Sequence, residues 1–289
     1  MDYLLLILAS GLFGGMFVFQ QMYTRSEGSL LRTTLLFGLL TGLMRFPLAF
    51  ALYGTHYTFH VTGVIIAALY AAVGIGTTLF SAKAFGVTNM ALYSVFMMLG
   101  GMLLPFAVGL VFYSEPLTVG KAVGCLLVAA AVAVGAEFKN GEKKSSVKGL
   151  FYCFGVFIMN GLSGVFAKIN QSAENGLDSG SFFLAAAVTT VVMSAVLVGV
   201  LSAGVKEKML HNPKKAIVAS VLYGIASGGG NLLLLIALES LPASVQYPLV
   251  TGTTMAFSAF FGFCRKEKLT RRAVLSVVLA LVASVVVVF

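Results

Sequence analysis

Side chains able to do chemistry are scarce in this sequence, and their spacing excludes more than it suggests. His56, His60 and His211 form no ligand spacing. Cys125, Cys153 and Cys264 stand singly in apolar runs, with no CxxC pair and no Cys/His cluster. Neither a metal site nor a disulfide frame is suggested, no cofactor is expected, and the cysteines read as small buried apolar residues. None of the ten acidic residues lies deep in an apolar stretch, and Glu239 comes closest, at the end of one. Proton-coupled efflux of cationic drugs uses a buried carboxylate that either the proton or the cation occupies. A pump of that design is therefore disfavoured. Catalysis on a lipid-linked substrate would need nucleophilic, acid–base or metal-binding groups converging at the interface. Only Glu115, Glu239 and Glu267 stand at stretch ends, with no histidine beside them, so no catalytic residue is assigned.

What the apolar stretches do hold is polar and mostly uncharged. Asn160 and Asn231 each bury an amide with several hydrogen-bond needs. Asn231 follows Ser227-Gly228-Gly229-Gly230. Glycines in mid-stretch either admit a neighbouring helix closely or loosen the helix beside a cavity. Tyr93, Gln246 and Tyr247 pair polar tips with apolar bodies, which suits an organic solute in an apolar cavity. Aromatic faces could also hold a quaternary ammonium group. Thr251 and Gln20 complete the uncharged candidates, although a lone threonine often bonds back to its own helix.

Two basic residues join them. Arg45 is the only charge well inside a stretch, where insertion costs roughly 2.5–3.5 kcal/mol. It either binds an anionic group such as a carboxylate through its guanidinium fork, or bonds structurally to neighbouring carbonyls and hydroxyls. Lys83, at the end of its stretch, either snorkels at the interface or meets an anionic substrate at a gate.

The elements that must position these residues follow from composition. Apolar residues make up 59% of the 289-residue chain and charged residues 10%, where a soluble domain has about 25% charged. Disorder would need low hydrophobicity and high charge. A nucleic-acid binder would need a basic face, but the bases behind the net charge of +9 sit in short loops. Ten apolar stretches recur at 3–23, 33–53, 61–82, 88–113, 117–136, 148–169, 181–204, 214–238, 242–264 and 271–289. Each is about the length that crosses ~30 Å of hydrocarbon as a helix. A β-barrel would show alternating segments of about ten residues, which are absent. The expectation is an all-α integral membrane protein of ten transmembrane helices. The start, Met1-Asp2-Tyr3, lacks the basic region of a cleaved signal and reads as part of an uncleaved first span.

The halves of the chain repeat. Ser10-Gly11-Leu12-Phe13-Gly14 matches Asn160-Gly161-Leu162-Ser163-Gly164 at an offset of 150 residues. Glu115-Pro116-Leu117-Thr118 matches Glu267-Lys268-Leu269-Thr270 at an offset of 152. Ala84 to Leu92 is similar to Ala237 to Val245 at an offset of 153. A duplication with five spans per half is expected: 1–136, a linker at 137–149, and 150–289. Because five is odd, the second half enters the membrane from the opposite side, giving inverted-topology repeats with a site at their interface. Sixteen of the nineteen basic residues fall in loops on one side, against Lys121 and Lys168 on the other. The positive-inside rule then puts the basic loops in the cytoplasm and both termini outside.

On these residues the sequence resembles the drug/metabolite transporter superfamily, specifically its ten-helix EamA-like branch, over nearly the whole chain. The two Glu-x-Leu-Thr elements carry most of the likeness. The starts of spans 4 and 9, Asn89-Met90-Ala91 and Pro242-Ala243-Ser244, and an Arg45-Phe46 pair add to it. The resemblance implies a carrier whose central cavity is lined mainly by the equivalents of spans 1, 3, 4, 6, 8 and 9. It implies substrates such as amino acids, purines, sugar derivatives or quaternary amines. It also leaves span 2 outside the main cavity wall, which favours the structural role for Arg45. Pro105 and Pro248 depart from the family's mid-span prolines in depth, and span 7 has no counterpart of Arg45.

The functional expectation is a secondary, non-ATP-driven transporter. It would move a small polar organic solute (amino acid, nucleobase, amine or similar metabolite) by alternating access between the repeats. The competing reading is a membrane-embedded enzyme or accessory protein acting on lipid-linked substrates. A sensor would need a signalling domain or a long partner loop. Expected partners are a small-molecule substrate and the lipid bilayer, with no nucleic acid. The chain would act in the cell (plasma or inner) membrane as a multi-pass monomer, with a homodimer left open.

Overall fold

In the computed structural model, the described residues are 2–28, 30–53, 56–85, 87, 90–135, 147–203, 210–264 and 271–288. Asn89, most of the 137–149 linker and the Glu267–Thr270 repeat element lie outside them. Among the described residues there is no strand, and eleven helices follow one another. They are α1 (Asp2–Glu27), α2 (Leu31–Leu43), α3 (Arg45–Tyr53), α4 (Val61–Phe85), α5 (Met90–Phe112) and α6 (Val119–Gly135) in the first half. The second half holds α7 (Val147–Ser172), α8 (Ser179–Ser202), α9 (Pro213–Leu238), α10 (Ala243–Cys264) and α11 (Arg271–Val286).

Seven spans among the described residues are long and apolar enough to cross a membrane, with α2 and α3 counted as one. The sequence led us to expect ten. The other three fall short for physical reasons. α6 and α11 have 17 and 16 residues. α10 has 22, but Gln246, Tyr247, Pro248 and three threonines dilute its hydrophobicity.

The second span is expected as one helix over 33–53 and is instead broken. Met44 stands between α2 and α3, its N–H turned back to the Thr41 carbonyl at 3.2 Å. Pro47 explains the break, because it lacks the amide that would bond the Leu43 carbonyl four residues earlier. The break puts Arg45 at the first position of α3, halfway through the span.

Helix pairing is simple. α1 packs on α9 and α10, and α7 packs on α4 and α5. α2 meets α8, α5 meets α10, and α6 meets α11. Glycines set the closest approaches. A Cβ at Gly14 would stand 2.7 Å from Phe257 of α10. One at Gly161 would stand 2.6 Å from the Gly100 carbonyl and from Leu104 of α5. The matching glycine-containing middles of the first and sixth spans are thus contact surfaces, where absent side chains let backbones approach.

Hydrogen bonds define the two ends of the bundle. At one end Tyr23 Oη donates to the Thr33 carbonyl at 2.7 Å, joining the end of α1 to the start of α2. There the buried Glu27 carboxylate accepts from the His211 and Asn212 amides at 2.6 and 2.9 Å, just ahead of α9. Arg25, Arg32, Lys83, Lys148, Lys214, Lys215, Arg271 and Arg272 all lie at helix ends on this side, which we term the basic end. The opposite, acidic end holds Glu115, Asp178 and Glu239.

The α5–α7 contact yields a test. Gly161→Val forces a side chain into backbone and should cost about 1–3 kcal/mol, read as a lower melting temperature in detergent. Gly74→Ala, where a Cβ meets nothing within 4 Å, should melt at or slightly above the parent temperature. Equal melting of the two variants would contradict the close α5–α7 approach.

Candidate functional site

A cavity of about 370 Å³ lies between α1, α2, α4, α5, α7, α8, α9 and α10, with Arg45 of α3 in its wall. Its lining follows helical stripes. α4 contributes Tyr70, Gly74, Thr77, Thr78 and Ser81; α9 contributes Tyr223, Ser227 and Asn231; α2 contributes Thr34, Gly38 and Thr41. Each set recurs at three- and four-residue spacing, the period of one helix face. Toward the basic end the lining combines half-buried Gln20, Thr34 and Thr78 with buried Leu35, Ser81 and Tyr93. Toward the acidic end the lining residues Ala167, Leu235 and Tyr247 are buried and form a floor.

The polar groups in the wall are held by their neighbours. Tyr70 Oη donates to Asn231 Oδ1 at 3.2 Å, and Asn231 Nδ2 donates to the Ser227 carbonyl at 2.7 Å. Asn160 Nδ2 donates to the Met97 carbonyl at 2.7 Å, and its Oδ1 has no hydrogen bond among the described residues. Tyr93 Oη pairs with Ser81 Oγ at 2.9 Å and lies 3.2 Å from Met97 Sδ. Tyr247 Oη donates to the Gly164 carbonyl at 3.1 Å. These bonds fix the rotamers of a wall that would otherwise be soft.

Arg45 differs from these. It lines the cavity near Tyr70 and Tyr223, close enough for its charge to act on both hydroxyls. Its Nε is buried and has no hydrogen-bond partner among the described residues. The ion pairs among the described residues, Lys168–Glu115 and His211–Glu27, do not include it. Among the described residues no Asp or Glu lines the cavity.

Seven of the nine sequence candidates thus meet at one cavity: Gln20, Arg45, Tyr93, Asn160, Asn231, Tyr247 and Thr251. Two do not. Lys83 is exposed at the basic end with its ammonium 5.9 Å from the Tyr152 ring centre. Gln246 is fully buried behind the wall, its Nε2 donating to the Leu234 carbonyl at 2.6 Å. The expectation that the second span stays out of the main wall is corrected, since Thr41 and Arg45 line it, and Thr190 and Ser194 of the seventh span join them. The glycine run of α9 is also settled. The helix stays continuous, and Gly228 and Gly230 admit Leu48 of α3 and Phe13 of α1. Tyr70, Tyr223 and Ser227 were missed, and the polar stripes on α4 and α9 were the signal that could have found them.

The acidic end is sealed by side-chain bonds. Glu115 accepts from the Ala243 and Ser244 amides at the start of α10, at 3.0 and 2.8 Å, and pairs with Lys168 of α7 at 3.0 Å. Burial pushes the Glu115 carboxyl up, but hydrogen bonds from Ser244, Lys168 and Ala243 outweigh it and hold the pKa below the ordinary 4.5. Asp178 caps α8 and accepts from Thr58 Oγ1 at 2.6 Å. Glu239 accepts from Ser179 Oγ at 2.6 Å, joining α9 to α8.

Residues 147–289 match the family model described as the EamA-like transporter family. The C-terminal part of the chain is thus similar to the EamA-like transporter family. A solved crystal structure 13% identical in sequence superimposes with a TM-score of 0.75, covering 99% of this chain and 95% of that one. At that identity the likeness shows the fold alone. A search among curated proteins found no match. The helices and the family likeness together make the chain a multi-pass membrane protein.

For this EamA-like chain, the cavity wall predicts how ligands should register in a thermal-shift screen. A compound that raises the melting temperature by mass action should lose most of that effect in Asn231→Ala. It should bind about fivefold more weakly in Tyr70→Phe, the loss of one ordinary hydrogen bond. Gln246→Ala should melt lower yet keep the ligand shift, because its side chain lies behind the wall. Equal ligand shifts in Asn231→Ala and the parent would remove Asn231 from the site.

Proposed function

We propose that the chain is a secondary carrier that moves a small organic solute by alternating access between two five-helix halves, 1–136 and 150–289, of inverted topology. The observation that carries this reading is the cavity itself, lined by helices of both halves and floored toward the acidic end by buried side chains and ionic bonds; we read it as one-sided, open toward the basic end. A carrier must hold such a one-sided cavity in each of its end states, whereas a channel would be open through its length. The pairings support the repeat. Exchanging the first and sixth, third and eighth, and fourth and ninth spans turns the α1 contacts with α9 and α10 into the α7 contacts with α4 and α5. The α2–α8 and α6–α11 pairs map onto themselves. With basic loops cytoplasmic, this state faces inward in the cell membrane.

In the proposal, the cluster around Glu115 is the outer gate. It ties α10 to α7, which belong to opposite walls of the cavity. Opening to the acidic end requires these bonds to part while contacts at the basic end form.

Two measurements test this. Protein in liposomes should catalyse uptake or exchange of a labelled solute from a panel of amino acids, nucleobases, amines and organic acids. Absence of protein-dependent flux across the panel would sink the carrier reading. Separately, a cysteine at Ala167, buried on the cavity floor, should resist an impermeant thiol reagent from the acidic side. Glu115→Gln removes an ion pair and weakens two charged hydrogen bonds, worth about 1.5–3 kcal/mol each, and should raise its reactivity roughly tenfold or more. Acid should act alike. A depressed carboxyl pKa stabilises the closed gate fully above 4.5, and that contribution is lost as pH falls through the lowered value.

A further inference from the structure

We infer that the cavity is built for an organic monoanion, with the acid group of the solute paired to Arg45 and its uncharged body against Asn160, Asn231 and the tyrosines. This rests on the carrier reading only in calling the ligand a transported solute. Charge supplies the first argument. The cavity wall holds one cation and, among the described residues, no anion. A guanidinium at mid-membrane depth is expensive unless something compensates it, and among the described residues Arg45 has neither an ion pair nor a bond to its buried Nε. The missing counter-charge has to come from what enters the cavity.

The rest of the wall fits a solute with one charged end. The Asn231 carbonyl is already taken by Tyr70, whereas Asn160 Oδ1 carries no hydrogen bond among the described residues. Such groups serve hydroxyl, amide or ring edges. An ammonium finds no carboxylate in the wall, and Arg45 repels it. Amines are therefore disfavoured most, zwitterions less, and monoanions least. A planar fork also suits a carboxylate or sulfonate in bidentate geometry better than a halide.

A pair of thiol reagents of equal reach and opposite charge tests this without the natural solute. They are sulfonatoethyl methanethiosulfonate and its trimethylammonium counterpart. The target is Gly74→Cys, which lines the cavity in open space, in a Cys264→Ser background, since Cys125 and Cys153 are buried. With Arg45 present, the anionic-to-cationic rate ratio should exceed that of the Arg45→Gln variant by about tenfold, the effect of one nearby charge in a partly hydrated site. Arg45→Lys should restore most of the ratio, which a structural role of the guanidinium would not predict. Protection of the cysteine should fall in the order 3-phenylpropionate, phenylalanine, phenethylamine. A ratio unchanged by Arg45→Gln, or protection by phenethylamine equal to that by 3-phenylpropionate, would overturn the inference. A variant that fails to fold shows itself by size exclusion, and the Arg45→Lys arm then decides alone by ratio. The outcomes separate from those of the carrier reading. Flux without charge selection defeats only this inference, while charge selection without flux defeats only the carrier.

Discussion

Hydrocarbon supplies no hydrogen-bond partner, so every polar group placed in the bilayer must be satisfied by the chain or by what the chain encloses. Much of this structure is an answer to that constraint. Ser10, Thr77, Ser81, Thr189, Thr190, Ser220 and Ser284 each bond back to a carbonyl of their own helix. The amides of Asn160 and Asn231 are tied to the Met97 and Ser227 carbonyls. Among the described residues, Arg45, Ser227 and Thr254 of the cavity wall keep a buried polar atom unpaired, and Tyr57, Ser202, Ser244 and Gln246 do so away from it. The cavity is therefore one of the places where unmet polar demand remains.

The same constraint explains why small residues matter more here than large apolar ones. Lipid is as apolar as leucine, so burying leucine between helices gains little. Close backbone approach and short bonds must do the associating. Gly14 against Phe257 and Gly161 against Gly100 bring the first and sixth spans onto their partners, and both lie in the segments that match between the two halves. Strong side-chain bonds are reserved for the ends. At the acidic end Glu115 joins α5, α7 and α10, and at the basic end Glu27 joins α1 to the start of α9. A molecule built this way can exchange end contacts while its sliding glycine surfaces stay packed.

Helix positions were legible in the sequence because length and apolarity alone decide them, and α7, α8 and α9 begin and end within three residues of expectation. The division of span 2 was not, because Pro47 breaks an otherwise unbroken apolar run and its effect falls on the bonds of residues before it. Cavity residues were legible where a polar type stood out, as with Asn160 and Asn231. Tyr70 and Tyr223 were hidden because tyrosine is equally at home at a membrane interface, and only the stripe they share with glycine and threonine reveals their face. Gln246 misled for the converse reason. Its polarity marked it as a binder, but it serves as an internal tie to the Leu234 carbonyl. Type shows that a residue needs a partner, and only the fold shows whether the partner is already present.

The distribution of acids carries this argument to its end. Glu27 is committed to the two amides ahead of α9, Glu115 to α10 and Lys168, Asp178 to the start of α8 and Thr58, and Glu239 to Ser179. Each sits at a helix end, where an anion also meets favourable backbone dipoles or solvent. None of these can leave its place to neutralise Arg45 without unmaking a contact that closes the bundle. An acid inside the cavity would have made the Arg45 site self-sufficient and nearly indifferent to the charge of a solute. Keeping acids at the ends and the single cation at mid-depth makes the emptiness of the site costly and its filling by an anion favourable.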